Sequence, residues 1–336
     1  MKLKFHPFDL KLRHTFKINH GSRNEQPTLI VSLQEGEFIG YGEAAANSYY
    51  NVTVAKMMED IGHCREIIES FELNDPEILW AVLNEKLQGN PFALCAVDIA
   101  AHDLYGKLNK KPLYELWGLD VSHLPLTNFT IGIDTIENMV AKMQQVPWPL
   151  YKIKLGTPDD IEIVKELRKH THALFRVDAN GAWDVEETIN NSMELKKLNV
   201  EFIEQPLKAS DMEGIKDVFN YSVLPIIADE SCLNEADVEK CHLRFHGINI
   251  KLTKCGGFTP ARRMIAHAKK LGMAVMMGCM TESTVGVSAV AQLLPLLDYV
   301  DMDGPLLLEK DIATGVKLEN GKVLFPEENG TGVNLL

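Results

Sequence analysis

Three acids and three lysines stand where short apolar runs end, and their types suit proton chemistry beside a cation. Lys152 and Lys154 sit in Tyr151-Lys152-Ile153-Lys154-Leu155, Asp178 follows Ala173-Leu174-Phe175-Arg176-Val177, and Glu204 follows Val200-Glu201-Phe202-Ile203. Asp229 follows Leu224-Pro225-Ile226-Ile227-Ala228, and Lys251 follows Ile248-Asn249-Ile250. Carboxylate oxygens suit hard divalent cations, and Mg2+ leaves coordination positions open for water or substrate. No thiol or imidazole stands at a matching place, which disfavours zinc. Any one acid would serve as a solvated helix cap. Three at successive run ends, flanked by lysines, point to a metal cradle of Asp178, Glu204 and Asp229.

Lys152 and Lys154 are two apart on a strand, so they share a face. Like charge at close range lowers a lysine pKa, so one of the pair is expected to be neutral and to act as a base. Lys251 arrives from across the site. Two lysines on opposite sides of one carbon can take a proton from one face and return it to the other, which is the geometry of racemisation. The carbon should lie alpha to a carboxylate, with its acidity drawn from a stabilised enediolate and Lys152 adding positive charge.

Placing these groups takes a repeated strand-plus-helix unit. From Lys154 to Lys251 the steps are 24, 26, 25 and 22 residues. Apolar runs at this spacing read as buried parallel strands joined by crossovers. Charges at their carboxyl ends belong at the mouth of a β/α barrel. Candidate strands are 126–132, 150–155, 173–178, 200–204, 224–229, 247–251, 273–277 and 297–301. Thr157-Pro158-Asp159-Asp160 and Ser210-Asp211-Met212-Glu213 read as helix starts. Residues 1–122 lack this beat. Alternation over 2–18 and 28–43, then helical stretches over 53–70, 76–88 and 92–108, predict an α+β cap, with 123–310 as the barrel. The tail 311–336, with an Asn320-Gly321 hairpin turn, is expected to pack back on the cap.

At 336 residues the chain suits two domains, and 46% hydrophobic with 24% charged residues is ordinary for a globular protein. A net charge of −13 argues against nucleic acid and anionic membrane as partners. Six cysteines without paired spacing suggest free thiols in a reducing compartment. No apolar leader opens the sequence, so a cytoplasmic location is expected. Gly40-Tyr41-Gly42-Glu43 lacks the third glycine of a nucleotide loop and reads as a tight strand edge. His242 and His246 lack the intervening Glu of a zinc helix.

The order Lys-x-Lys, Asp, Glu, Asp, Lys resembles the enolase superfamily in its muconate-lactonising subgroup. The local words Val177-Asp178-Ala179-Asn180-Gly181, Ile203-Glu204-Gln205-Pro206, Ala228-Asp229-Glu230-Ser231 and Asn249-Ile250-Lys251 match as well, as does the stretch from Ala96 to Lys107. The resemblance implies a modified (β/α)7β barrel with an α+β cap, and Mg2+. Asp301-Met302-Asp303-Gly304-Pro305 is similar to the Asp-x-Asp motif of dipeptide epimerases, where two carboxylates hold a substrate ammonium. By the same resemblance Thr130, Cys279 and Met280 are expected to touch substrate. Members acting on Ala-Glu carry an arginine in the capping loop. Here Gly21 takes that place and Arg23 lies two residues on, so a small or uncharged second residue is expected.

The expected activity is therefore dipeptide epimerisation, with Lys154 and Lys251 as bases and Lys152 assisting. Expected partners are a small-molecule dipeptide and further copies of the chain. The rivals are o-succinylbenzoate synthase, N-acylamino-acid racemase or cycloisomerase chemistry on the same site, and a non-catalytic metal-bound barrel.

Overall fold

The computed structural model describes residues 1–18 and 21–336, so Asn19 and His20 of the capping segment 19–26 lie outside the described residues. A three-stranded antiparallel sheet comes first: β1 (Lys2–Ile18), β2 (Gly21–Glu35) and β3 (Phe38–Ala45). β1 and β2 pair from Lys2↔Gln34 to Ile18↔Gly21 with an irregularity between Lys11 and Phe16. Residues 21–26 are thus strand, not free loop. The helices α1 (Val54–His63), α2 (Arg65–Ser70), α3 (Pro76–Leu87) and α4 (Pro91–Leu108) follow. The helix expected over 53–70 breaks into two at Cys64.

α4 joins the cap to the rest of the chain. A Cβ on Gly40 or Gly42 would come within 2.3 or 2.2 Å of a carbonyl of α4, so glycine alone lets β3 lie against that helix. Cys95 and Ile99 enter one hydrophobic core, while Ala96, Ala100 and Leu104 enter another. Asp98 accepts from the Thr259 amide at 3.1 Å and its hydroxyl at 2.8 Å.

After α5 (Leu113–Leu116) the parallel strands begin: β4 (Phe129–Ile131), β5 (Leu150–Lys154), β6 (Leu174–Asp178), β7 (Val200–Glu204), β8 (Ile226–Ala228), β9 (Gly247–Ile250), β10 (Ala274–Gly278) and β11 (Tyr299–Asp301). Each pairs with its sequence neighbour in one eight-stranded sheet. A parallel bridge between Thr127 and Val300, with the Met302 amide donating to Thr127 Oγ1 at 3.1 Å, joins its two edges. Helices α6 (Ile136–Gln145), α7 (Asp160–Arg168), α8 (Val185–Lys197), α9 (Gly214–Tyr221), α10 (Glu235–Cys241), α11 (Leu252–Cys255), α12 (Phe258–Lys270) and α13 (Thr284–Ala291) fill the crossovers, and α14 (Gly304–Leu307) follows the last strand. This is a (β/α)7β barrel under an antiparallel cap. Each fully buried Leu, Ile, Val or Phe of its core contributes about 1.5–3 kcal/mol.

Two helix starts differ from expectation. α7 begins at Asp160, whose carboxylate reaches back to the Gly156 and Thr157 amides at 2.8 Å each. α9 begins only at Gly214, with Asp211 accepting its amide at 2.9 Å. The tail divides. Its hairpin, β13 (Lys317–Glu319) and β14 (Lys322–Leu324) after the short β12 (Ala313–Thr314), turns through left-handed Asn320 and Gly321 (φ 48° and 79°). That hairpin packs at the barrel's amino end, where Gly321 accepts from the Thr127 amide at 2.8 Å. The stretch past Gly330, ending in β15 (Asn334–Leu335), returns to the cap: the Thr331 amide donates to Asp103 at 2.7 Å.

Candidate active site

Sheet register sets the charges side by side. Lys154 pairs with Asp178, and Asp178 with Glu204, while the alternate residues Ile153, Val177 and Ile203 join the apolar core between sheet and helices. Asp178, Glu204 and Asp229, all buried, each offer an oxygen, and the three atoms lie within 4.8 Å of one another. Lys152 Nζ stands 2.8 Å from Glu204, 2.9 Å from Asp301 and 3.1 Å from Asp178. Lys154 Nζ lies 2.6 Å from Asp178, and Lys251 Nζ 2.8 Å from Asp229. In the ring β5 and β9 are four strands apart, so Lys154 and Lys251 face one another across it.

Three close carboxylates fit a hard cation on two further grounds. The donor set is all oxygen. Glu204 Oε2 has the Lys152 ammonium at 2.8 Å and no well-aligned hydrogen bond among the described residues, so this buried oxygen keeps accepting capacity. Burial, with Asp178 adding to it, pushes the Glu204 carboxyl up to about 7. Asp178 and Asp229 are also buried, but Lys154 and Lys251 respectively hold them below the ordinary range.

Of the lysine pair, Lys152 is held as an ammonium. Burial pushes its pKa down, but Asp301, Glu204 and Asp178 raise it well above the ordinary value. Repulsion between lysines is outweighed because the carboxylates stand in direct contact. Lys251 is raised in the same way, with Asp229 overcoming burial.

Several residues escaped sequence reasoning. Lys254 is buried and donates to the Asp229 carboxylate at 2.6 Å, to its carbonyl at 2.7 Å and to the Asn249 carbonyl at 3.1 Å. Its place three residues after Lys251, on a one-turn helix, was the available signal. Asn249 donates to Glu204 at 2.8 Å, and Asn128 to Asp301 at 2.8 Å. Each precedes a singled-out residue by two, on the same strand face. Asn180 and Gln205, just past β6 and β7, are left-handed at φ 44° and 36°. Such backbone costs about 1–3 kcal/mol and clusters at functional sites. Gln205 is held there by accepting the Asp229 and Ser231 amides at 3.0 Å.

The charges open onto a cleft of about 300 Å3 between cap and barrel. Thr130, Lys152, Lys154, Asp229, Lys251, Cys279, Met280, Asp301 and Asp303 all line it, so the structure brings the expected catalytic and substrate-facing residues to one cleft. Asp178 and Glu204 lie deeper. Asp303 accepts from the Thr130 amide, and burial, with Asp301 beside it, pushes its carboxyl up to about 7. Asp301 is held at about 2, since Lys152 overcomes the effect of burial. From the cap, Arg23 reaches Thr281 Oγ1 at 2.9 Å and lines the same cleft. No carboxylate pairs with Arg23 among the described residues.

The cleft and its charges have counterparts. The chain is 60% identical, over all of both chains, to the L-Ala-D/L-amino acid epimerase of Flavobacterium johnsoniae. Its fold matches the dipeptide epimerase from Cytophaga hutchinsonii complexed with Mg and D-Ala-L-Val (TM-score 0.94, 26% identity, 99% of this chain and 95% of that one). It also matches the dipeptide epimerase from Enterococcus faecalis V583 complexed with Mg and L-Leu-L-Tyr (TM-score 0.93, 31% identity, 99% and 98%). Residues 5–118 match the mandelate racemase / muconate lactonizing enzyme N-terminal domain, and residues 134–336 the enolase C-terminal domain-like family. With both of its parts matched, the chain belongs to the mandelate racemase / muconate lactonizing enzyme family of the enolase superfamily.

Proposed function

We propose that this protein is a Mg2+-dependent dipeptide epimerase that inverts the second α-carbon of an Ala-Xaa dipeptide by two-base proton transfer through an enediolate. One observation carries the reading: a carboxylate pair, Asp301 and Asp303, shares a single cleft with lysines on opposite sides of the barrel. Asp178, Glu204 and Asp229 would hold Mg2+, which when bound supplies positive charge beside the substrate carboxylate. Lys154 takes or gives the α-proton on one face and Lys251 on the other. Lys152, held as an ammonium, adds charge where negative charge develops. Asp301 and Asp303 take the substrate ammonium through charge-assisted hydrogen bonds, with Thr130, Cys279 and Met280 lining its path. Arg23 enters the cleft with no acidic partner among the described residues, so an acidic second residue is admitted beside small and uncharged ones. The six free thiols suit a reducing, cytoplasmic setting.

The test is incubation with Ala-Xaa dipeptides in D2O. Deuterium should enter the second α-position with Mg2+ present, stop on chelation and resume when Mg2+ is restored. No exchange in any dipeptide rejects the reading. The rival reactions act on substrates without a free ammonium. Asp303→Asn should lower kcat/KM for dipeptides about a hundredfold, the loss of one charge-assisted contact, while sparing an N-acylamino acid. Asp301 is unsuited to this comparison because it also holds Lys152.

A further inference from the structure

A second, smaller cavity of about 60 Å3 lies behind one wall of the cleft. Phe16, Thr130 and Leu307 line both spaces, so these three side chains separate them. Phe129, Val146 and Leu306 give it an apolar side, while Arg13, His14, Lys142 and Gln145 line it as well, Arg13, His14 and Gln145 being exposed to solvent.

The wall stands beside the proposed ammonium site. Thr130 is tied to Asp303 through its amide. Leu307 ends the one-turn helix that starts after Asp303, and the Leu306 amide donates back to the Asp303 carbonyl at 2.9 Å. With the ammonium on Asp301 and Asp303, and the reacting carbon between Lys154 and Lys251, the first residue's side chain leaves from the carbon that bears the ammonium. Its nearest neighbours are then Thr130, Leu307 and Phe16.

We propose that Phe16, Thr130 and Leu307 select the first residue of the dipeptide, admitting a methyl group and closing off a latent pocket for longer side chains. This rests on the epimerase reading above. The backbone around each wall residue is fixed without its side chain. The Lys17 carbonyl accepts from the Ile133 amide at 3.0 Å. Leu308 bridges Leu12, and its carbonyl accepts from Arg13 Nε at 2.6 Å. Shortening Phe16 or Leu307 therefore leaves the wall's frame in place and joins the two spaces.

The experiment measures kcat/KM by α-proton exchange for Ala-Xaa and Leu-Xaa with the same second residue. The unmodified protein should favour Ala-Xaa about tenfold or more, the discrimination that extra methylenes produce in an apolar pocket. Leu307→Ala should shrink that ratio about tenfold, and Phe16→Leu, which keeps an apolar wall, by a smaller factor. Exchange of Ala-Xaa by the unmodified protein is read first, and its absence overturns the epimerase reading together with the wall. Exchange of Ala-Xaa with a ratio unmoved in both variants, or moved instead by Met280→Ala, overturns the wall alone.

Discussion

The two ends of the barrel bury charge in different ways. At the amino end Arg176 has settled partners: its Nε donates to Glu201 at 2.7 Å and its Nη1 to the Val300 carbonyl at 2.9 Å. The rings of Phe202 and Tyr299 lie 5.2 and 5.0 Å from its guanidinium. At the mouth Lys152 is shared among three carboxylates, its ammonium is all that meets Glu204 Oε2 among the described residues, and buried Asn249 Oδ1 takes no hydrogen bond there. The floor is closed and satisfied, whereas the mouth is crowded, keeps spare acceptors and opens onto a cleft. A buried ion with fixed partners belongs to the architecture. Surplus acceptors next to room for a ligand mark a place where chemistry is done.

Substitution breaks the comparison most directly at the mouth. Lys154→Ala or Lys251→Ala should lower α-proton exchange about a thousandfold, as loss of a general base does, with a small change in melting temperature. A variant that melts early but still exchanges would place these lysines with the floor. Arg176→Met should act the other way round, costing about 3 kcal/mol of unfolding free energy by stranding Glu201, while kcat/KM of the folded protein changes little. Denaturant unfolding beside initial rates separates the two effects.

A smaller effect sharpens the boundary between cap and mouth. Glu282 is buried beside Glu43, and burial first, then Glu43, pushes its carboxyl up to about 8. Its ordinary value is 4.5, so the folded protein is most stable, as far as this group is concerned, below pH 4.5. Stability then falls as pH rises from there through 8. Glu282→Gln removes that slope and should be the more stable form at pH 9, by on the order of 1 kcal/mol. Melting curves of the two proteins that run parallel from pH 5 to 9 would count against the pairing.

Legibility in the sequence depended on how local each signal was. The strand-end charges could be read because a parallel strand is a short apolar run and the side-chain period of two is strict. Asp178, Glu204 and Asp229 needed nothing more to be placed together. Lys254 could not be read, because its burial depends on α11 folding back under Asp229. Arg176 carried no signal inside its apolar run, since its partners Glu201 and Val300 come from β7 and β11. What holds Lys152 charged could not be read, because only its lysine neighbour is close in sequence, while Asp301 lies 149 residues away. The divided tail has the same cause. An Asn-Gly turn announces a hairpin but says nothing of the surface that receives it.

That hairpin bears on how the molecule is made. The Thr127 amide donates to the Gly321 carbonyl and its hydroxyl accepts from the Met302 amide, at the seam where the first and last strands meet. A ribosome working at about 5–20 residues per second needs roughly 10–40 s to travel from one partner to the other. Throughout that interval the nascent barrel is an open sheet with an unpaired parallel edge, the kind of surface on which chains pair with one another. The cap sheet, built from residues 2–45, emerges long before and can form without waiting. Yield in the cell therefore depends on how well the open edge is shielded until the last turn of the chain arrives.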